Sequence, residues 1–409
     1  MNKKKIINDP VYGFITIPSD SIFDIIEHPW FQRLRRIKQL GLADFVYPGA
    51  LHTRFHHAIG AMHLMGIALE TLRSKEVEIS ENEFEAAQIA ILLHDSGHGP
   101  FSHALEHTLL ASIHHEKISS LVLERLSRTQ GGNVSMALKM FNNTYPRKFF
   151  HQLISSQLDM DRLDYLNRDC FFTGVSEGAI GLERIIRMLN IHDDSLVVEE
   201  KGIYSIENFL NARRLMYWQV YLHKTTVSAE KMIIKIIQRA KHLIRSGENL
   251  TCSPSLQYFL SREVTLQDFE NNEEVLMAFT KVDDYDIWGA IKFWCEHTDK
   301  VLSMLCNMIL KRKLFKIEIS ETGIDTVRLT NEKKQFAQSH NLSLDDTEYF
   351  FESGVLTNAA YFGGHQKINI LTKSGKIIDV AAASDLPNIK AIRKIVTKHY
   401  VCFPKTVYL

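Results

Sequence analysis

The stretch from Phe84 to His103, Phe-Glu-Ala-Ala-Gln-Ile-Ala-Ile-Leu-Leu-His-Asp-Ser-Gly-His-Gly-Pro-Phe-Ser-His, limits what this chain can be more than any other. Ser80-Glu81-Asn82-Glu83 precedes it as a capping box, in which Ser80 and Glu83 satisfy each other's free backbone N–H groups and so start a helix. Phe84, Ala87, Ile91 and His94 then recur on one helical face, which ends in an imidazole with Asp95 beside it. Burying a histidine and a carboxylate together is costly unless a partner neutralises them, and a metal ion does so. His98 and His103 follow across the Gly99-Pro100 break.

Of the 19 histidines, ten fall between His52 and His115, so the search for further ligands starts there. His57, Ala61, Leu64 and Ala68 form one stripe, which makes His57 the start of a core-facing helix face. A further helix is predicted over Leu153 to Cys170, where Asp161, Arg162, Tyr165 and Asp169 share a face and Leu158 flanks it. The metal-ligand set is therefore His57, His94, Asp95 and Asp161. Its N and O donors suit a divalent Fe, Mn, Zn, Ni or Mg ion without choosing among them. Such an ion makes water a nucleophile near neutral pH, as phosphoester hydrolysis requires. His98, His103 and His115 are then suited to donate to phosphate oxygens or protonate a leaving group. Arg54, Arg162 and Arg213 are natural phosphate clamps.

The 409 residues suffice for one large domain or two to three ordinary ones. Basic and acidic residues balance at 48 each, so no polyanionic partner is demanded by overall charge. Five dispersed cysteines without a Cys-x-x-Cys pair fit a reducing compartment. No apolar run follows the N-terminal lysines, and Val301 to Leu310 is too short to span a bilayer, which together point to a cytoplasmic protein. Asn8 to Gly13 reads as a turn and Phe14 to Pro18 as a short strand. Ser21 to Leu40 reads as a helix, with Arg33, Arg35, Arg36 and Lys38 on a solvated face. Phe209 to Ile244 reads as one long helix or two, and 255 to 310 as further helices. Beyond Lys316 the texture changes: Phe315 to Ile319 and Lys367 to Leu371 alternate, and Ser374-Gly375 before Ile377-Ile378 signals a hairpin. The expected fold is mainly α, with a helical core over 1–316 that includes the N-terminal turn and strand, and a smaller mixed α/β region over 317–409.

The spaced His57, His94-Asp95 and Asp161 resemble the signature of the HD-domain metal-dependent phosphohydrolases. The surrounding context resembles their deoxynucleoside triphosphate triphosphohydrolase branch over roughly residues 5 to 316. It comprises Asn8-Asp9-Pro10-x-x-Gly13, Phe31 to Gly41, Arg54-Phe55-x-His57, His98-Gly99-Pro100-Phe101-Ser102-His103 and Asp159-x-Asp161-Arg162-x-Asp164-Tyr165-x-x-Arg168-Asp169. The resemblance implies the HD-domain helical fold and release of intact triphosphate with a deoxynucleoside. It implies metal binding by the four HD residues, with a second Mg ion arriving with substrate beside Asp95. It places Arg54, His98, His115, Arg162 and Tyr165 near the phosphates and His103 as the acid for the 5′ oxygen. Gln39, Leu40, Asp169 and Tyr221 would surround the sugar, where a close fit excludes a 2′ hydroxyl.

Members of that branch also bind an activating nucleotide between subunits. Lys5, Glu27, Arg35, Arg312 and Lys316 match those roles here, which would require a homo-oligomer such as a dimer or tetramer. Two departures stand out: His56 occupies a commonly acidic position, and Leu163 a commonly aromatic one. Two other readings keep part of the pattern. One retains the metal but acts on nucleoside monophosphates or cyclic nucleotides. The other is a nucleotide-sensing or nucleic-acid-binding module with a vestigial metal site, suggested by the basic stretches Arg33 to Lys38 and Lys231 to Arg245.

Overall fold

The computed structural model describes residues 5–110, 113–321, 323–358, 361, 367–385 and 395–405, apart from the His103 side chain. The chain starts as a hairpin, β1 (Ile6–Asp9) with β2 (Gly13–Thr16), turned at Gly13 with φ +74°. Asp9 Oδ1 accepts the N–H groups of Val11 and Tyr12 and so fixes that turn. The helix expected over 21–40 is broken. α1 (Asp20–Glu27) stops before Pro29, whose missing N–H cannot continue the ladder, and α2 (Pro29–Gln32) begins there with His28 as its cap. A 3-10 turn, Arg33–Arg36, completes the segment.

The helices that carry His57 and His94 follow. α3 (Arg54–Arg73) packs against α4 (Glu81–Leu93), and the Ser80–Glu83 capping box forms as the sequence indicates. Ala61, Leu64 and Ala68 are buried beneath His57, as their stripe requires. Next come α5 (Ser102–Leu109), α6 (His115–Gln130) and α7 (Gly132–Phe141), the last two separated at Gly131 with φ +62°. The single helix expected over 153–170 is two, α8 (Lys148–Ile154) and α9 (Met160–Thr173). Asp159 divides them, because its carboxylate caps α9 by accepting the Arg162 N–H at 2.7 Å.

α10 (Leu182–Arg187), β3 (Leu189–His192) and β4 (Ser195–Glu199) lead to α11 (Ile203–Met216). A π turn over Tyr217–Tyr221 separates α11 from α12 (Lys224–Arg245). Then α13 (Pro254–Ser261), α14 (Leu266–Asn271), α15 (Glu273–Phe279), α16 (Asp284–Trp294) and α17 (Lys300–Leu310) complete the helical part. The remainder holds β5 (Lys316–Ser320), α18 (Thr326–His340), α19 (Leu344–Thr347), β6 (Glu352–Asn358), β7 (Asn369–Leu371), β8 (Ile377–Asp379), α20 (Val380–Ala383) and β9 (Val396–Phe403).

The fold is thus mainly helical with small sheets. β9 lies between β5 and β6 in an antiparallel sheet. β7 and β8 form the expected hairpin, with Ile370 opposite Ile378, while β7 also pairs in parallel with β4 through Val198 and Ile370. No helix among the described residues is long and apolar enough to cross a membrane.

Two buried charges join distant parts of the chain around the site. Arg33 does not share a solvated face with its basic neighbours: it is fully buried and donates to the carbonyls of Ser96 (3.0 Å), His98 (2.8 Å) and Val282 (3.3 Å). The tighter 3-10 turn after Pro29 puts this residue out of phase with the preceding helix and turns it inward. Burial pulls its guanidinium down to about 10, so it remains charged.

Asp284, at the start of α16, accepts the N–H groups of Lys38 and Phe101, each at 2.9 Å. Burial, opposed only in part by these bonds, pushes its carboxyl up to about 6. A folded-state pKa above the unfolded value means that its stabilising contribution is present below about pH 4 and lost as pH rises to about 6, a span worth about 3 kcal/mol. Between pH 4 and 6, the urea-unfolding free energy of Asp284→Asn should therefore fall less steeply than that of the parent chain. Parallel slopes would show that the carboxyl does not titrate in the folded state.

Candidate metal centre and substrate cavity

His57, at the start of α3, His94, capping α4, and Asp161, in the first turn of α9, bring their side chains together from three helices. The Nε2 atoms of His57 and His94 lie 3.4 Å apart, and Asp161 Oδ1 lies 3.1 and 3.4 Å from them. Asp95 completes the group, with carboxylate oxygens 3.3 Å from His94 Nε2 and 3.7 Å from His57 Nε2.

The opposite ring nitrogens have acceptors: His57 Nδ1 donates to Asp164 Oδ2 at 2.7 Å and His94 Nδ1 to the Ile91 carbonyl at 2.6 Å. Those bonds leave both Nε2 lone pairs aimed at the same point as two carboxylates, an arrangement that only a cation or bound protons satisfy. Burial works against a charged His57, but its bonds to Asp161 and Asp164 prevail and push it up to about 10. Asp161 is likewise held well below the ordinary carboxylate range by His57 and His94, against the effect of burial. The donor set therefore fits a divalent metal ion.

Asp164 in turn is held by Arg168, whose Nε and Nη2 donate to its two oxygens at 2.9 and 3.0 Å and whose Nη1 reaches Asp9 Oδ2 at 2.8 Å. All three groups are buried. Gly60 permits this packing, since a Cβ there would lie 2.1 Å from both the Arg168 guanidinium and the Asp164 carboxylate.

Beside this cluster opens a cavity of about 430 Å³. Gln39, Leu40, Arg54, Asp95, His98, His115, Asp161, Arg162, Tyr165, Asp169 and Tyr221 all line it, so most of the residues singled out in the sequence converge here. Arg54 donates to Asp95 in a very short contact and through Nε to Ser102 Oγ at 2.8 Å. His98 Nε2 lies 3.3 Å from Asp95 Oδ1, and its ring stacks on His115 with centroids 3.7 Å apart. Burial and the adjacent Arg54 hold His98 well below its usual range, so it is neutral. His115 Nδ1 sits 3.1 Å from Glu106 Oε1. Gly97 sets the path of this loop: a Cβ there would meet the His115 carbonyl at 2.1 Å and the Ser119 nitrogen at 2.4 Å.

At another part of the wall, Asp169 is held by His52 Nε2 at 2.7 Å and by the Tyr221 hydroxyl at 2.8 Å. Arg162 pairs closely with the buried Asp159. Arg213 is buried and donates to Gln157 Oε1 at 2.9 Å, near enough to Tyr165 for its charge to act on the phenol. His103 belongs to α5, but its side chain lies outside the described residues.

Lys5, Glu27, Arg35, Arg312 and Lys316 do not line this cavity. Lys5 lies over Phe23, Arg35 over Phe55, Arg312 donates to the Phe45 carbonyl, and Lys316 pairs with Glu318. Glu27 is near enough to act on the Arg35 charge.

Sequence reasoning passed over His52, Asp159, Asp164 and Arg168 as site supports, although the last three sit inside the motif it used. It also passed over Tyr217, Thr226 and Glu230 as site residues, although they too line the cavity. Burial pushes the Glu230 carboxyl up to about 7.

A crystal structure described as a phosphohydrolase from Bacteroides thetaiotaomicron superposes with a TM-score of 0.94 and 50% identity, covering 98% of this chain and all of that one. The chain belongs to the HD-domain phosphohydrolases. A model of the HD associated region matches residues 180–249 of this HD-domain protein. The uncharacterised YwfO of Bacillus subtilis is 31% identical across 99% of the chain and 93% of its own length. A protein named deoxynucleoside triphosphate triphosphohydrolase SAMHD1 homolog, from Dictyostelium discoideum, is 32% identical over 60% of the chain. The match covers 51% of that relative, so this HD-domain protein spans about half its length.

Proposed function

We propose that this HD-domain phosphohydrolase hydrolyses deoxynucleoside triphosphates to a deoxynucleoside and inorganic triphosphate. The observation that carries the reading is the cavity's polarity. One stretch of wall combines the metal-ligand carboxylates with Arg54, Arg162, His98 and His115, while another holds Asp169 rigidly between His52 and Tyr221. A triphosphate suits the first and a sugar hydroxyl the second, within a volume of ordinary ligand size. The family relationship to a named triphosphohydrolase supports the same substrate class.

In this reading, His57, His94, Asp95 and Asp161 would hold a divalent ion, which would supply Lewis acidity and an activated water, and Asp95 would also hold a second Mg ion brought by the substrate. Arg54 and Arg162 neutralise phosphate charge, Arg213 supports Tyr165, and Tyr165 closes the wall. His98 is neutral, so its ring keeps a lone pair on one nitrogen and a proton on the other. With His115 stacked on it, the pair contacts the phosphates at fixed orientation. His103 delivers the proton to the departing 5′ oxygen. Gln39 and Leu40 pack the sugar, and Asp169 with Tyr221 binds its hydroxyl, leaving no room for a 2′ substituent. A homo-oligomer, dimer or tetramer, would hold an activating nucleotide through Lys5, Glu27, Arg35, Arg312 and Lys316.

A substrate panel tests this reading. Turnover of deoxynucleoside triphosphates should exceed that of ribonucleoside triphosphates by at least about tenfold in kcat/KM, because an added 2′ hydroxyl overpacks the sugar wall. Arg54→Ala should reduce it further. Faster turnover of nucleoside monophosphates or cyclic nucleotides, insensitive to Arg54→Ala, would reject the proposal.

A further inference from the structure

We propose that a second cavity, bounded by α8, the 155–159 loop, β4 and the start of β7, binds a small phosphate-bearing anion. Its volume is about 510 Å³, and it shares no lining residue with the substrate cavity. Among the described residues, its wall carries Lys148, Lys367 and His151 and no aspartate or glutamate. Ser155 and Ser156 also line it, the Ser156 hydroxyl accepting the Leu158 N–H at 3.1 Å, whereas Leu158 and residues 196–198 of β4 form an apolar floor. A concave site with one sign of charge concentrates the opposite sign. The volume and the apolar floor fit a nucleotide as well as an inorganic polyphosphate. Asp194 accepts the Lys148 backbone N–H at 2.7 Å and is not among the lining residues.

The wall is joined to the substrate cavity through one carboxylate. The Ser156 N–H donates to Asp159 Oδ2 at 2.7 Å, Asp159 Oδ1 accepts the Arg162 N–H at 2.7 Å, and the Asp159 carboxylate also pairs with the Arg162 guanidinium. Asp159 is fully buried, so a shift of Ser156 is transmitted to Arg162 by a group with no water to replace the lost bond. An anion seated at Ser155 and Ser156 therefore stiffens the segment that positions Arg162. This site stands whether or not the chain hydrolyses deoxynucleoside triphosphates.

Calorimetric titration of the full chain with inorganic tripolyphosphate, and separately with a non-hydrolysable deoxynucleoside triphosphate analogue, tests the site. The Lys148→Ala/Lys367→Ala pair should weaken one binding event about tenfold per lysine, as loss of a charge-assisted contact does. Basal turnover without added ligand should be unchanged. Hydrogen exchange in a peptide covering residues 155–162 should slow with ligand in the parent chain and much less in the variant. If the double variant misfolds, Lys148→Gln alone should still show the tenfold loss. Preference for the analogue identifies a nucleotide site and equal binding of tripolyphosphate a phosphate site, and each supports the proposal. Identical stoichiometry and affinity in parent and variants would overturn it.

Discussion

His94→Ala should strip the bound divalent ion from the purified protein and reduce turnover by more than the roughly 10–100-fold typical of losing an outer partner of a metal ligand. Its Nε2 lies within 3.4 Å of Asp161 and of His57, and within 3.3 Å of Asp95, so the substitution removes one donor from a group that has few. The remaining carboxylates then depend on His57 alone. Elemental analysis gives a readout independent of activity, with a stoichiometric metal in the parent chain and a substoichiometric one in the variant. Equal metal content in both would place the ion elsewhere. Adding Mn²⁺ in excess to the variant should restore part of the activity, because the other three ligands persist.

Arg168→Met should destabilise the fold by about 3–5 kcal/mol, the usual cost of leaving buried charges without their partner. The guanidinium is fully buried and neutralises both Asp164 and Asp9, neither of which has access to water. Asp164 also orients His57, so the damage extends from the β1–β2 turn to the metal centre. Arg168→Lys keeps a charge but cannot reach Asp164 through two nitrogens and Asp9 through a third, so it should fall between the two. A urea-unfolding loss below about 1 kcal/mol in Arg168→Met would mean that the buried network is not a stability determinant.

The cluster of His57, His94, Asp95 and Asp161 was legible in the sequence because each sits on a short-range pattern. His94-Asp95 ends a helix whose capping box and apolar spacing are local, and His57 begins a stripe of small apolar residues. The face formed by Asp161, Arg162, Tyr165 and Asp169 was legible for the same reason, even though the helix carrying it starts later than its apolar pattern suggests. What was not legible depends on contacts across the chain. Arg33 reads as one of four basic surface residues, yet its partners lie 63 to 249 positions away. Asp284 lies in a stretch that reads simply as helical, but it ties the backbone of Lys38 to that of Phe101 across 246 and 183 positions. Asp159 reads as helix interior because its role as a cap appears only once α8 and α9 separate. The parallel pairing of β7 with β4 likewise crosses the division at residue 316, where the change in texture marks a switch of pattern but carries no information about pairing.

These supports also explain the order of the site. Arg33 fixes the carbonyls of Ser96 and His98, Asp284 fixes Phe101 in its left-handed conformation at φ +47°, and Gly97 allows the loop to pass against α6. His98 in this loop is therefore positioned by backbone bonds from outside it, which lowers the cost of organising it around a ligand.

The most direct test of the account is the identity of the phosphorus product. Phosphorus NMR of a reaction containing purified protein, one deoxynucleoside triphosphate and Mn²⁺ or Mg²⁺ should show inorganic triphosphate accumulating in step with free deoxynucleoside. Pyrophosphate or orthophosphate as the product, with a deoxynucleoside mono- or diphosphate left behind, would contradict it.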